Sequence, residues 1–200
     1  MEEQTKSRTE RKKDKMRRQI VEIAMDLFHK QGFSATTMEQ IAGEVDIAKK
    51  TLYNYFPEKE AILTVYMQGV VTEGENNLDQ IIAAYPDIHA CLLAVFEKAA
   101  EQAQADREIY QVYVAYRIQH SFNPKKELRS GLEAFLVKIL ENAQAAGQIR
   151  QDLPAKYLAQ QLELSYGMTL VAWLADFANV SFTENISRCL DLFLQGAAAR

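Results

Sequence analysis

Lys49, Lys50, Tyr53 and Asn54 share one side of a short predicted helix, and Ala48, Leu52, Tyr55 and Phe56 share the other. At 100° per residue the two groups point roughly 145° apart. The polar side carries two ammonium groups, a phenol and a carboxamide, all of which donate hydrogen bonds. Such a set suits phosphates and the base edges of a DNA major groove, where lysine donates to guanine O6 and N7. The apolar side predicts a buried back that fixes how far the polar side projects.

The preceding stretch supplies the support for that helix. Met38, Ile41, Ala42 and Val45 recur at i, i+3, i+4 and i+7, one face of a helix, and Thr37 stands ahead of them as an N-cap. Two short helices joined by a tight turn make a helix-turn-helix. Upstream, Ile20, Ile23, Ala24, Leu27 and Phe28 form a third apolar stripe that ends at Gly32, a natural C-cap. Phe33 can fold back on the helix it follows. Three stripes of this kind can bury one another and make a small head.

Apolar residues at 48% and charged residues at 25% are ordinary globular values, and 8 Gly and 4 Pro with no alternating β pattern read as all-α. The net charge of −4 is unevenly spread. Residues 1–18 carry eight Lys/Arg against four acids, residues 1–63 sum to +1, and residues 64–200 sum to −5. Residues 1–18 therefore read as a basic N-terminal arm, either a solvated tail or a contact to phosphates or the minor groove. No apolar run reaches the length of a membrane span, and the basic N-terminus lacks the apolar core of a secretory signal, so a cytoplasmic protein with no membrane partner is expected. Cys91 and Cys189 sit in apolar helical patterns and read as packing residues. His29, His89 and His120 are far apart and have no ligand-spaced companions, so no metal is expected. With no nucleophile elbow, phosphate loop or HExxH pair, neither an enzyme nor a cofactor is expected.

The run Ile23-Ala24-…-Leu27-Phe28-…-Gly32-Phe33-…-Thr36-Thr37-Met38-…-Ile41-Ala42 resembles the N-terminal signature of the TetR family of bacterial transcriptional regulators. The continuation Val45 to Phe56 and Glu58 to Leu63 resembles it too, with Asp46 where the family often has Gly and Ala48 where it often has Ser. Asp tolerates left-handed geometry, so the turn is expected to survive. Ala48 removes a cap and a phosphate contact. The resemblance implies that Lys49 and Lys50 reach base edges and that Asn54 reaches a base or a phosphate. It implies that Thr37, Thr51, Tyr53, Tyr55 and Lys59 bind phosphate or orient the helix. For Tyr55 a core role, for Lys59 a solvated one and for Thr37 a purely capping one stand as alternatives.

Domain boundaries are expected at 1–18 for the arm, 19–63 for the helix-turn-helix domain and 64–200 for an all-helical body. One long connecting helix over 59–84 should link head to body, with Gly69 and Gly74 serving either as a hinge or for close packing. Helices over 87–104, 106–121, 125–146, 155–179 and 183–197 follow. The helix from 155 carries two apolar stripes: Leu158, Leu162, Tyr166, Leu170, Trp173 and Phe177, and then Leu164, Met168, Val171 and Ala175. A helix apolar on more than one side packs on its own body and on a second copy. The resemblance implies a homodimer through the last two helices, and two recognition helices about 34 Å apart on a palindromic operator in double-stranded DNA. It also implies an internal pocket for an unidentified small-molecule effector. Tyr66, Met67, Phe96, Tyr110, Tyr113, Tyr116, Phe135, Trp173 and Phe177 are the aromatic and apolar candidates to line it, and Glu163 and Asp176 could meet a cationic ligand or be paired or exposed. The expectation is a repressor released by its effector. The alternative is a DNA-binding protein with no small-molecule inducer, acting as an activator or architectural factor.

Overall fold

The computed structural model describes residues 7–120 and 131–196, and every described element is a helix. The chain forms two compact units, Met1–Tyr66 and Met67–Arg200.

The first unit holds α1 (Arg8–Gln31), α2 (Met38–Val45), α3 (Lys49–Tyr55) and the start of α4 (Lys59–Asn76). The apolar stripes close on one another: Ile20, Ala24, Phe28, Ile41, Leu52, Phe56, Ile62 and Leu63 are all buried. The first helix begins well before Ile20. Ser7 accepts from the Glu10 backbone N–H (3.2 Å) while the Glu10 carboxylate accepts from the Ser7 N–H (2.7 Å), a reciprocal cap that starts α1 at Arg8. The basic residues from Arg8 to Arg18 are therefore helical and continuous with the apolar stripe. Thr37 and Gln40 repeat the same device at α2, at 3.2 and 2.8 Å. Asp46 takes φ 57° and ψ 48°, the left-handed geometry expected of the turn, and the Ile47 N–H reaches back to the Ala42 carbonyl at 3.0 Å.

The second unit holds the rest of α4, α5 (Leu78–Ala84), α6 (Ile88–Ala105), α7 (Arg107–His120), α8 (Leu132–Ala145), α9 (Ala155–Ala175) and α10 (Phe182–Gly196). Helix α9 packs along α8, and α10 packs on both α6 and α9. Phe96 stacks on Tyr166 at 4.6 Å between centroids, and Trp173 meets Phe182 at 5.1 Å. Gln148, just past the left-handed Gly147, accepts from the Ile88 N–H and donates to the Pro86 carbonyl, both at 2.8 Å. That clasp fixes the start of α6, whose N-terminus is capped by Asp87. No described helix is long and apolar enough to cross a membrane.

The structure divides two predicted helices differently. The helix expected over 59–84 breaks at Asn77, whose carboxamide donates to the Glu73 carbonyl (2.9 Å) and whose backbone leaves helical geometry. A side chain that hydrogen-bonds the preceding turn competes with the helix ladder there. The helix expected to run to 179 stops at Ala175, where Asp176 accepts from the Asn179 carboxamide and closes a turn. Helix α8 is described from Leu132; the expected start at 125 and Leu128 lie outside the described residues.

Gly74 and Gly69 also part company. A Cβ on Gly74 would touch the Phe135 ring at 3.7 Å, whereas nothing lies within 4 Å of one on Gly69, which is exposed in mid-helix. Packing accounts for neither atom nor space at Gly69. Gly69→Ala is expected to stabilise the protein by about 0.5–1 kcal/mol, because alanine loses less backbone entropy in a helix. A denaturation midpoint that rises would agree; one that falls would show that position 69 must stay small or pliant.

Candidate nucleic-acid interface

Helix α3 is held from behind. Leu52 and Phe56 are fully buried, and the Arg17 guanidinium lies 4.9 Å from the centre of the Phe56 ring. With the back fixed, Lys49, Lys50, Tyr53 and Asn54 all face solvent, and Tyr53 keeps 41% of its surface exposed. Thr51 and Tyr55 are half-buried at the border of the two faces. Ala48 makes no side-chain cap, as its type requires, so the first turn of α3 is closed only by the Thr51 and Leu52 N–H groups donating to its carbonyl.

Lys59 occupies a different place from the α3 residues. Its Nζ donates to the Phe33 and Thr36 carbonyls at 2.5 and 2.6 Å and lies 4.1 Å from the centre of the Phe33 ring. The start of α4 is thereby tied to the α1–α2 turn. The same turn is tied again by Gln31, which donates to Thr36 Oγ1 and Gln40 Oε1 at 3.1 and 3.3 Å, and by Thr36, which donates to the Gly32 carbonyl at 2.9 Å. Thr37 is exposed and caps α2 through the Gln40 N–H. Lys59 and Thr37 thus set the pitch of the motif, while Lys49, Lys50, Tyr53 and Asn54 present its open surface.

Sequence spacing did not disclose one partner. Glu39, the second residue of α2, forms an ion pair with Lys49, the first residue of α3. The hydrogen bond from Lys49 holds the Glu39 carboxyl below its usual range, and the carboxylate pushes the ammonium up in turn. The pair spans the turn, where helical periodicity carries no information.

In the body the expected pocket residues separate. Trp173 and Phe177 line an open cleft of about 500 Å³, together with Glu97, Glu101, Gln104 and Phe182. Phe177 also carries the Arg107 guanidinium at 4.7 Å. Met67, Phe96, Tyr110, Tyr113, Tyr116 and Phe135 are buried as core, and Tyr66 is half-buried at the end of the first unit. Glu163 is not left for a cationic ligand: Arg117 donates to it at 3.3 Å. The same guanidinium lies 5.7 Å from the Tyr113 ring. Burial, reinforced by Tyr113, pushes the phenol of neighbouring Tyr166 far above its ordinary range. Tyr113, Arg117, Glu163 and Tyr166 therefore form a polar cluster between α7 and α9, its two phenols buried and its ion pair partly exposed. Burial also pushes both thiols, Cys91 and Cys189, upward, which makes them poor nucleophiles.

A head with this turn and an exposed polar helix, followed by a helical body, matches two family models. Bacterial regulatory proteins of the tetR family match residues 20–65, and the C-terminal domain of TetR/AcrR family transcriptional repressors matches residues 70–196. The chain belongs to the TetR/AcrR family. It is a DNA-binding transcriptional regulator, and the family resemblance carried by the first unit extends through the body. The transcriptional repressor KstR2 of Rhodococcus jostii (strain RHA1) is 25% identical over 187 residues, covering 92% of this chain and 91% of its own. Thermus thermophilus FadR, a TetR family repressor solved with lauroyl-CoA, shares the fold at TM-score 0.79 and 24% identity, with 92% of this chain and 96% of that one covered. Bacillus subtilis FadR, solved with stearoyl-CoA, does so at TM-score 0.62 and 20% identity, with 90% and 98% covered.

Proposed function

We propose that this TetR/AcrR member is a homodimeric repressor that grips a palindromic operator through Lys49, Lys50, Thr51, Tyr53, Asn54 and Tyr55 and is released by an acyl-CoA thioester. The observation that carries the DNA reading is the exposed polar face of α3 opposite the fully buried Leu52. Lys50 and Asn54 reach base edges; Tyr53, Thr51 and Tyr55 meet phosphate; Thr37 and Lys59 orient the motif. Dimerisation rests on α9 and α10. Leu164 and Met168, one turn apart on α9, are each 67% exposed, and Leu192 on α10 is 74% exposed. Large apolar side chains on adjacent helices favour burial against a second copy, and two-fold symmetry then sets the two α3 helices on successive major grooves.

The effector class draws on two supports. Two proteins of the same fold were solved with acyl-CoAs, lauroyl-CoA in one and stearoyl-CoA in the other. The body also brings the buried phenols of Tyr113 and Tyr166 beside Arg117, so a thioester carbonyl that displaces Glu163 from Arg117 would find donors there. A ligand that binds the DNA-incompetent arrangement better shifts the population away from the operator. Titrating lauroyl-, palmitoyl- and stearoyl-CoA into a preformed protein–operator complex should dissociate it in a mobility-shift assay, while free CoA should not. An intact complex throughout the acyl series would overturn the effector assignment and leave the DNA assignment standing.

A further inference from the structure

Glu39 is out of character on the face that would meet DNA. It lies across the turn from Lys49, both side chains are 56% exposed, and the two form an ion pair. The Lys49 ammonium is held from a second side as well, 5.8 Å from the centre of the Tyr53 ring. A surface ion pair between long side chains adds little to stability, so the fold gains little from it. Near a duplex the carboxylate is a liability at every site, because it faces phosphates of its own sign. It also neutralises an ammonium that would otherwise bind any phosphate. Only one kind of contact offsets this loss. In the major groove the groups able to donate to a carboxylate are the cytosine N4 and adenine N6 amino groups, and acidic side chains pair with cytosine N4.

We propose that Glu39 is a specificity-determining residue: with Lys49 it forms a donor–acceptor couple, Lys49 addressing a guanine and Glu39 a neighbouring cytosine amino group, that penalises DNA lacking this step. The inference rests on the reading of α3 as the DNA-contacting helix. The couple acts in two ways. It holds Lys49 away from the phosphates, lowering affinity for DNA at large. At the operator the amino group gives the carboxylate a partner, so Lys49 can turn to the base without leaving Glu39 unpaired. Discrimination thus comes from a repulsive element as well as an attractive one.

The test compares wild type, Glu39→Gln, Lys49→Met and the double variant. Each is used as the full chain to enrich duplexes from a random-sequence pool, then titrated against the enriched duplex and a scrambled one over a salt series. Glu39→Gln keeps the side chain's size but removes its charge and replaces one acceptor oxygen with an NH2 donor. It is expected to bind the scrambled duplex more tightly, with a salt slope steeper by about one as Lys49 joins the phosphate contacts. Discrimination between enriched and scrambled duplexes should fall by about tenfold, with the lost preference confined to one base pair. In the double variant the salt slope should return to the wild-type value. A Glu39→Gln protein with unchanged slope, discrimination and enriched sequence overturns the proposal and leaves an ordinary surface ion pair. Wild-type protein that enriches no sequence contradicts the assignment of the α3 face itself, a distinct failure.

Discussion

Phe56→Ala is expected to abolish DNA binding by unfolding the first unit. The Phe56 ring is fully buried where α3 ends, and Arg17 of α1 stacks over it. Removing a buried phenylalanine side chain costs about 3–5 kcal/mol through lost transfer energy and the cavity left behind. A unit of this size has a total stability of only about 3–10 kcal/mol. The substitution therefore removes most of it, and the consequence falls on α3, a helix of under three turns that cannot persist without tertiary support. Phe56→Leu keeps most of the volume and should cost about 1 kcal/mol and retain binding. Denaturant titration of the two variants, paired with a DNA titration, reads both effects. A Phe56→Ala protein with wild-type midpoint and affinity would mean that α3 is not braced from behind.

The second large effect is expected from Leu164→Glu combined with Met168→Glu. Both side chains are two-thirds exposed within one protomer, so neither substitution empties the core, and helix content should be unchanged. Two carboxylates per subunit would instead be buried unpaired against their symmetry mates, which a dimer interface does not tolerate. Light scattering should report a monomer at micromolar concentration. Affinity for a palindromic operator should fall by about 100-fold or more, because two linked heads become two independent ones. A variant that remains dimeric would move the interface off this face of α9.

These two predictions differ in how far they were legible in the sequence. The packing of Leu52 and Phe56 was readable because it follows from local periodicity, and the turn because Asp46 is a residue that accepts left-handed geometry. The second apolar stripe of α9 was readable for the same reason: Leu164 and Met168 are one turn apart, and both stay largely exposed among the described residues. The extension of α1 to Arg8 was written as Ser7-Arg8-Thr9-Glu10, a reciprocal cap, but a run of basic residues without an apolar face hid it.

What stayed out of reach depends on contacts between distant positions. Lys59 and the α1–α2 turn are joined across more than twenty residues, so a lysine expected to bind phosphate or orient the helix is a brace within the first unit. Glu39 and Lys49 meet only because the turn folds one helix across the other. In the body, aromatic residues on the apolar stripes of different helices were divided between core and cleft by packing that no periodicity encodes. Phe96 and Trp173 are equally apolar in sequence, yet only Trp173 lines the cleft. The break at Asn77 arises from a carboxamide that bonds the preceding turn, a choice Asn can make at any helical position.

The most direct measurement of the central claim is the affinity of Lys50→Ala and Tyr53→Ala proteins for a duplex enriched by the wild type from genomic fragments. Both side chains are exposed and support no core, so the variants should keep the wild-type midpoint of unfolding. Each is expected to lose about 1–3 kcal/mol of operator binding. Wild type should protect a palindromic footprint with salt-dependent affinity. Wild-type affinity in both variants, with the same footprint, would contradict the account, because the polar face of α3 would then not be what touches DNA.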